Sequence, residues 1–195
     1  MILVTGFAPF DGAQLNPSWE AVKGLAEIPD MESKIAVLEL PVVFGKAPDL
    51  LMEKIRELQP SAVISVGLAG GRKEITPELI AVNFRNARIP DNEGNRPEFE
   101  KIVPDGPDGI FTRLPVREMI QGMQTAGIPA SLSTTAGSYV CNEVMYRLLQ
   151  DYHGTAGFIH VPASEELGGD MSIQEMTKAL AVCVRIILAN EKCCD

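Results

Sequence analysis

Short apolar runs alternate with segments of helical spacing through the first third of the chain, and this alternation constrains the fold more than any other feature. Ile2 to Thr5 is a β-type run. A turn-rich stretch then leads to Asn16-Pro17, an N-cap with proline at the first helical position, which predicts a helix over 17–27 with Ala21, Val22 and Leu25 on one face. Lys34 to Leu40 is the next strand candidate. Ala47 to Leu58 sets Leu50, Leu51, Ile55 and Leu58 at helical spacing, and Ala62 to Val66 is an apolar run. Strand, helix, strand, helix, strand is the signature of an α/β sheet.

Farther along, Glu78 to Phe84 reads as extended, and Arg85 to Gly109, rich in Asn, Asp, Pro and Gly, reads as a long irregular surface excursion. Loops of that length are uncommon without a function. The regular pattern resumes with a helix near 115–126, a strand near 129–133, a helix starting around Ser138 to Cys141, a strand from Gly157 to Val161 and a helix from about Ser172 to Asn190. Apolar strands flanked by helices imply an open sheet covered on both faces. At 195 residues the default is a single domain over 1–195. In open sheets ligands bind where loops leave the carboxyl ends of strands, a position that 5–12, 67–76 and 134–141 fit.

Several function classes fall away on charge and patterning. A formal charge of −9 opposes a nucleic-acid partner, whose affinity is built on Lys and Arg, and favours small molecules or peptides. The apolar start Met1-Ile2-Leu3-Val4 lacks a basic flank and soon meets Gly6, Pro9 and Gly12, so a signal peptide is not expected. Nor does any segment reach the ~20 apolar residues of a membrane span. The expectation is a cytoplasmic protein with no membrane partner. Cysteines at 141, 183, 193 and 194 have neither the density of a disulfide framework nor a Cys-x-x-Cys pair that would suggest zinc.

Each thiol is therefore weighed singly. Cys141 falls where the spacing turns helical, and a helix N-terminus favours the thiolate and lowers its pKa. A small buried residue fits the same position. Two histidines are available as a base: His153 lies in a polar turn, whereas His160 ends the strand Gly157-Phe158-Ile159-His160-Val161-Pro162. His160 is equally compatible with a buried structural role. Composition offers too many acids to choose a third member by counting. Cys183 fits the apolar pattern of the last helix, while Cys193 and Cys194 occupy a polar tail, where an intersubunit disulfide is not expected in a reducing compartment. Gly67-Leu68-Ala69-Gly70-Gly71-Arg72 lacks dinucleotide and Walker spacing and reads better as a tight turn close to a ligand.

Taken in order, Thr5-Gly6-Phe7-Ala8-Pro9-Phe10, Asn16-Pro17-Ser18-Trp19-Glu20, Leu40-Pro41-Val42-Val43-Phe44, Ala69-Gly70-Gly71-Arg72, Ala87-Arg88-Ile89-Pro90-Asp91-Asn92, Thr135-Ala136-Gly137-Ser138-Tyr139-Val140-Cys141-Asn142 and the segment ending in His160-Val161-Pro162 resemble the pyrrolidone-carboxylate peptidases, or type I pyroglutamyl peptidases, over almost the whole chain. The resemblance implies Cys141 as nucleophile, His160 as base and Glu78 as the acidic member of the triad. It also implies Phe7 and Phe10 as ring contacts, Arg88 near the oxyanion, and Leu68 and Val140 among the substrate-binding positions. A three-layer α/β/α sandwich with a twisted, mostly parallel mixed sheet follows from it, as do a homo-dimer or homo-tetramer, no cofactor, no metal, and peptides with N-terminal pyroglutamate as substrates. Leu68 stands where the family commonly has Gln, Asp11 where Gly is usual, and Glu143 where His is common. Another amide or ester hydrolase using the same triad, or a noncatalytic ligand-binding relative, is the alternative. The lack of a phosphate-cradling motif opposes a nucleoside-handling enzyme.

Overall fold

Alternation of side chains along three central strands decides the layering. In the computed structural model, which describes residues 1–191, β1 (Ile2–Phe7), β2 (Ile35–Leu40), β3 (Ala62–Leu68) and β7 (Thr155–Val161) are parallel neighbours in the order β2-β1-β3-β7. A two-residue strand, β4 (Thr76–Pro77), runs antiparallel beside β7 at the far edge. Ile2, Val4, Ala62, Ile64, Val66, Ile159 and Val161 point to one face, and Leu3, Phe7, Val63, Ala156 and Phe158 to the other.

Both sets are buried, which is why these strands read as continuous apolar runs. The first face is covered by α1 (Pro17–Ala26), α3 (Val116–Thr125) and α5 (Ile173–Glu191). The second is covered by α2 (Lys46–Leu58) and α4 (Val140–Asp151). This is the expected three-layer α/β/α sandwich with a mostly parallel mixed sheet.

The Asn16-Pro17 start of α1 forms as predicted. Asn16 Oδ1 accepts from Ser18 N at 3.1 Å, a cap worth about 1 kcal/mol, and Ser18 Oγ in turn accepts from Phe7 N at 3.0 Å. The helix start is thereby tied to the end of β1.

Two expectations change. The strand expected near 129–133 is reduced to isolated parallel bridges, Ile75 with Ala130 and Glu78 with Ser133. Its partner segment contains Pro77, which has no N–H to continue a ladder. The extended run from Glu78 to Phe84 narrows to β5 (Ile80–Val82), which pairs with β6 (Gly109–Phe111) in a separate two-stranded sheet.

The excursion from 85 to 109 forms no helix or strand before Gly109, but side chains moor it. Asp91, buried, accepts from Phe44 N, Glu93 N and Asn95 N, each at 2.9 Å. Asn83 receives Ile102 N and Val103 N, both at 2.9 Å. Cys183 is fully buried beside Met123, as its helical pattern predicted, whereas Cys193 and Cys194 lie outside the described residues.

Candidate active site

The site is assembled at the carboxyl end of β7. Alternation carries Ala156, Phe158 and then His160 to the face that α4 covers, and His160 is the register partner of Gly67 on β3. Across these two residues lies the first turn of α4, with Cys141 its second residue. Gly67 has no side chain to hold the helix away: a Cβ there would stand 2.9 Å from Cys141 Sγ and 2.8 Å from Phe158 Cζ. The sulfur therefore rests on the strand position paired with His160. Among the described residues no hydrogen bond joins Cys141 to the imidazole.

Glu78 approaches from the other side. It sits between β4 and β5, its N–H donating to Phe158 O at 2.9 Å, and its side chain is completely buried. Its Oε1 lies 2.7 Å from His160 Nδ1. A carboxylate on Nδ1 fixes the tautomer with the proton there, leaving Nε2 free to accept a proton. The same Oε1 accepts from Arg72 Nη1 at 2.6 Å.

These contacts set the protonation states. Burial pushes the Glu78 carboxyl up, but hydrogen bonding and charge attraction to His160, with help from Ser133 and Arg72, outweigh it and hold the group below its ordinary value. Burial also pushes the His160 imidazole below its ordinary value against the pull of Glu78, so it rests neutral. The Cys141 side chain is partly solvent-accessible, yet its crowded surroundings and the Glu78 charge push the thiol up to about 12. This differs from the lowered thiol expected of a helix N-terminus. Backbone hydrogen bonding and Arg72 do pull the thiol down, and desolvation exceeds them.

The remaining sequence candidates spread around this centre. Phe7 is core, its ring centroid 6.2 Å from that of Phe158, which itself lies 4.9 Å from the imidazole. Phe10 is half-buried and faces Tyr139, two residues before Cys141, at 6.4 Å between centroids; Phe44 meets Tyr139 edge-on at 5.2 Å. Val140 is fully buried in the layer beneath α4. Leu68 ends β3 half-buried, paired with Val161 on the face opposite Gly67. Arg88 is exposed on a segment that Ser138 and Tyr139 bind through Asn86 and Pro90. His153 is exposed, as its polar turn predicted.

Sequence reasoning passed over Arg72, Gly67, Asn142 and Tyr139. The motif Ala69-Gly70-Gly71-Arg72 was visible, but nothing in its spacing tells that the arginine folds back onto Glu78. Asn142 clamps β5: Oδ1 accepts from Val82 N at 3.0 Å, and Nδ2 donates to Val82 O and Phe84 O at 2.9 Å. Glu143, buried, accepts from Gly45 N at 2.9 Å and Arg85 Nη1 at 2.8 Å. Among the described residues no group of three His, Cys, Asp or Glu is placed to hold a metal, and no helix is long and apolar enough to cross a membrane.

Comparison with known proteins gives a consistent result. The family model described as pyroglutamyl peptidase matches residues 1–190. A pyrrolidone-carboxylate peptidase of Yersinia pestis is 44% identical over 201 residues, covering 97% of this chain and 94% of the relative. The crystal structure of pyroglutamyl peptidase I from Bacillus amyloliquefaciens superposes with a TM-score of 0.87 at 42% identity, covering 94% of each chain. A mutant pyrrolidone carboxyl peptidase from the hyperthermophile Pyrococcus furiosus superposes with a TM-score of 0.90 at 40% identity, covering 97% of this chain and 98% of that one.

Proposed function

Since the chain belongs to the pyroglutamyl peptidase family, whose members are cysteine peptidases that remove N-terminal pyroglutamate from peptides, we propose that here the reaction is carried by Cys141, His160 and Glu78. The observation that carries this assignment is the stacking of Cys141 Sγ on Gly67, the register partner of a histidine whose Nδ1 is bonded to a buried carboxylate.

A raised thiol and a neutral imidazole make the resting pair uncharged, so attack is base-assisted. As the sulfur bonds to the carbonyl carbon of pyroglutamate, its proton passes to His160 Nε2, and Glu78 steadies the imidazolium. The imidazolium then protonates the departing amine as the C–N bond breaks, leaving a thioester on Cys141. Water, deprotonated by the again neutral His160, attacks the thioester and releases pyroglutamate. The oxyanion is held by first-turn amides of α4, whose N-cap residue Tyr139 supplies no side-chain cap to occupy them. Such a donor is worth ~3 kcal/mol to the transition state in other hydrolases.

Pyroglutamate is a flat neutral lactam, and a pocket for it should be apolar with a few polar contacts. Phe10 and Tyr139, on the two loops flanking Cys141, supply such a wall. Phe7 supports it from behind and Arg88 lies on the segment that Ser138 and Tyr139 bind, while Leu68, facing away from Gly67, and the buried Val140 are expected to meet substrate through backbone groups only. By the same family relationship the enzyme works in the cytoplasm as a homo-dimer or homo-tetramer, which light scattering checks.

The decisive assay compares fluorogenic pyroglutamyl, prolyl and alanyl amides before and after thiol alkylation. Alkylation-sensitive turnover confined to the pyroglutamyl substrate is expected; its absence would overturn the assignment.

A further inference from the structure

We propose that Arg72 is a positioning residue for this reaction, locking the Glu78 carboxylate against His160 and tying the loop that leads to Cys141 onto the same pair. The inference rests on the triad assigned above.

The guanidinium reaches three elements at once. Nη1 donates to Glu78 Oε1 at 2.6 Å and also to Thr76 Oγ1 on β4, while Nη2 donates at 2.9 Å to the carbonyl of Thr135, six residues before Cys141. Its backbone is held by a turn, Arg72 N donating to Ala69 O at 2.9 Å. The planar fork thus bridges the acid, its strand and the nucleophile loop, which a single ammonium could not span with the same geometry.

Two features of Glu78 make this contact consequential. First, Arg72 and His160 share one oxygen, Oε1, whereas Oε2 is buried with no hydrogen-bond partner. The carboxylate is therefore held through Oε1, the oxygen on which these two donors converge. Second, Glu78 is completely buried, and a buried carboxylate needs a counter-charge. While His160 is neutral, Arg72 is the cation that supplies it. When His160 becomes imidazolium, the same cation opposes it, so the proton is passed on to the leaving amine rather than retained. The charged and titratable groups facing His160 are Glu78 and Arg72, with the Cys141 thiol across Gly67.

The test reads the imidazole directly. The chain contains two histidines, so His160 can be assigned by NMR against a His153→Gln control and titrated without substrate. In Arg72→Met, His160 is expected to titrate at higher pH than in the wild type, the acid limb of kcat/KM should move up with it, and kcat/KM should fall roughly tenfold to a hundredfold. An unmoved His160 titration in folded Arg72→Met would overturn the proposal. Should that variant fail to fold, Arg72→Lys is compared in wild-type and Glu78→Gln backgrounds. A several-fold loss in the first that disappears in the second supports action through Glu78; equal losses in both overturn it. Because the titration needs no turnover, its outcome stands apart from that of the peptidase assay.

Discussion

Cys141 and Gly67 are in van der Waals contact across the junction of helix and sheet, so close that a Cβ on the glycine would lie 2.9 Å from the sulfur. The same methyl would lie 2.8 Å from Phe158 Cζ, and the fully buried Phe158 has no room to retreat from the packed layer. Gly67→Ala is therefore expected to destabilise the protein by about 1–3 kcal/mol, the usual cost of overpacking. By lifting the sulfur from the level of His160 it should also lower kcat/KM by on the order of 100-fold. Gly70→Ala, whose methyl meets nothing within 4 Å, is the stability control. Chemical denaturation and steady-state kinetics on the two variants check both parts; an active, stable Gly67→Ala would contradict the packing argument.

The raised Cys141 thiol makes a prediction opposite to that of an ion-paired nucleophile. With the group pushed up to about 12, the thiolate fraction keeps growing as pH rises through the neutral range and beyond. The iodoacetamide rate of the free enzyme should climb without a plateau below pH 9, where an ordinary cysteine would begin to level. Cys141→Ala should abolish both alkylation-sensitive turnover and this rate profile. Cys183→Ala should retain turnover, since that thiol is wholly buried against Met123 on the other side of the sheet.

Acid should weaken the fold through the same residues. His160 and Glu78 both titrate lower in the folded chain than their ordinary values of 6.5 and 4.5. The unfolded chain therefore binds more protons at low pH, and stability must fall as pH drops. It is fully present above about pH 6.5, declines first as His160 charges in the unfolded state, and declines again below about 4.5 as Glu78 follows. Urea unfolding at pH 7.5, 6 and 5 should show this loss, and His160→Gln should flatten its first stage. The acid limb of kcat/KM should likewise fall below pH 6.5, since the free base is the active form.

The elements that carry this chemistry were legible wherever a residue's role is local. The Asn16-Pro17 cap, the helix start at Cys141 and the strand carrying His160 near its end were each readable from side-chain type and spacing. The chain could not reveal contacts set by three-dimensional placement. Asn142 on β5 and Gly67 under Cys141 depend on how the fold brings distant segments together, and Arg72, only six residues from Glu78, reaches it because the intervening chain folds back. Glu78 itself came from resemblance, because a buried acid looks in sequence like any other. The apparent strand at 129–133 misled because alternation does not record that its partner holds a proline. One oddity became intelligible only in three dimensions. Asp11, where the family usually has glycine, adopts φ of 53°, a left-handed turn position in which Asp is among the few tolerated side chains.

Glu143, another departure, is compensated by Arg85, and the pair can be separated. Its carboxylate is buried two residues after Cys141 and is held by Arg85 at 2.8 Å on one oxygen and by the amide of Gly45 at 2.9 Å on the other. Arg85 is partly solvated and also pairs with Glu100, so its charge is shared with the surface. Arg85→Met would leave Glu143 buried with a single donor, an expected cost of about 2 kcal/mol. That is below the ~3–5 kcal/mol of a fully enclosed pair because solvent screens the arginine side. Adding Glu143→Gln to Arg85→Met should return much of the loss, since the amide oxygen still accepts from Gly45 and no charge remains enclosed. The urea midpoints of the single and double variants measure this directly. A double variant no more stable than Arg85→Met would mean that Arg85 acts by packing its stem rather than by neutralising Glu143.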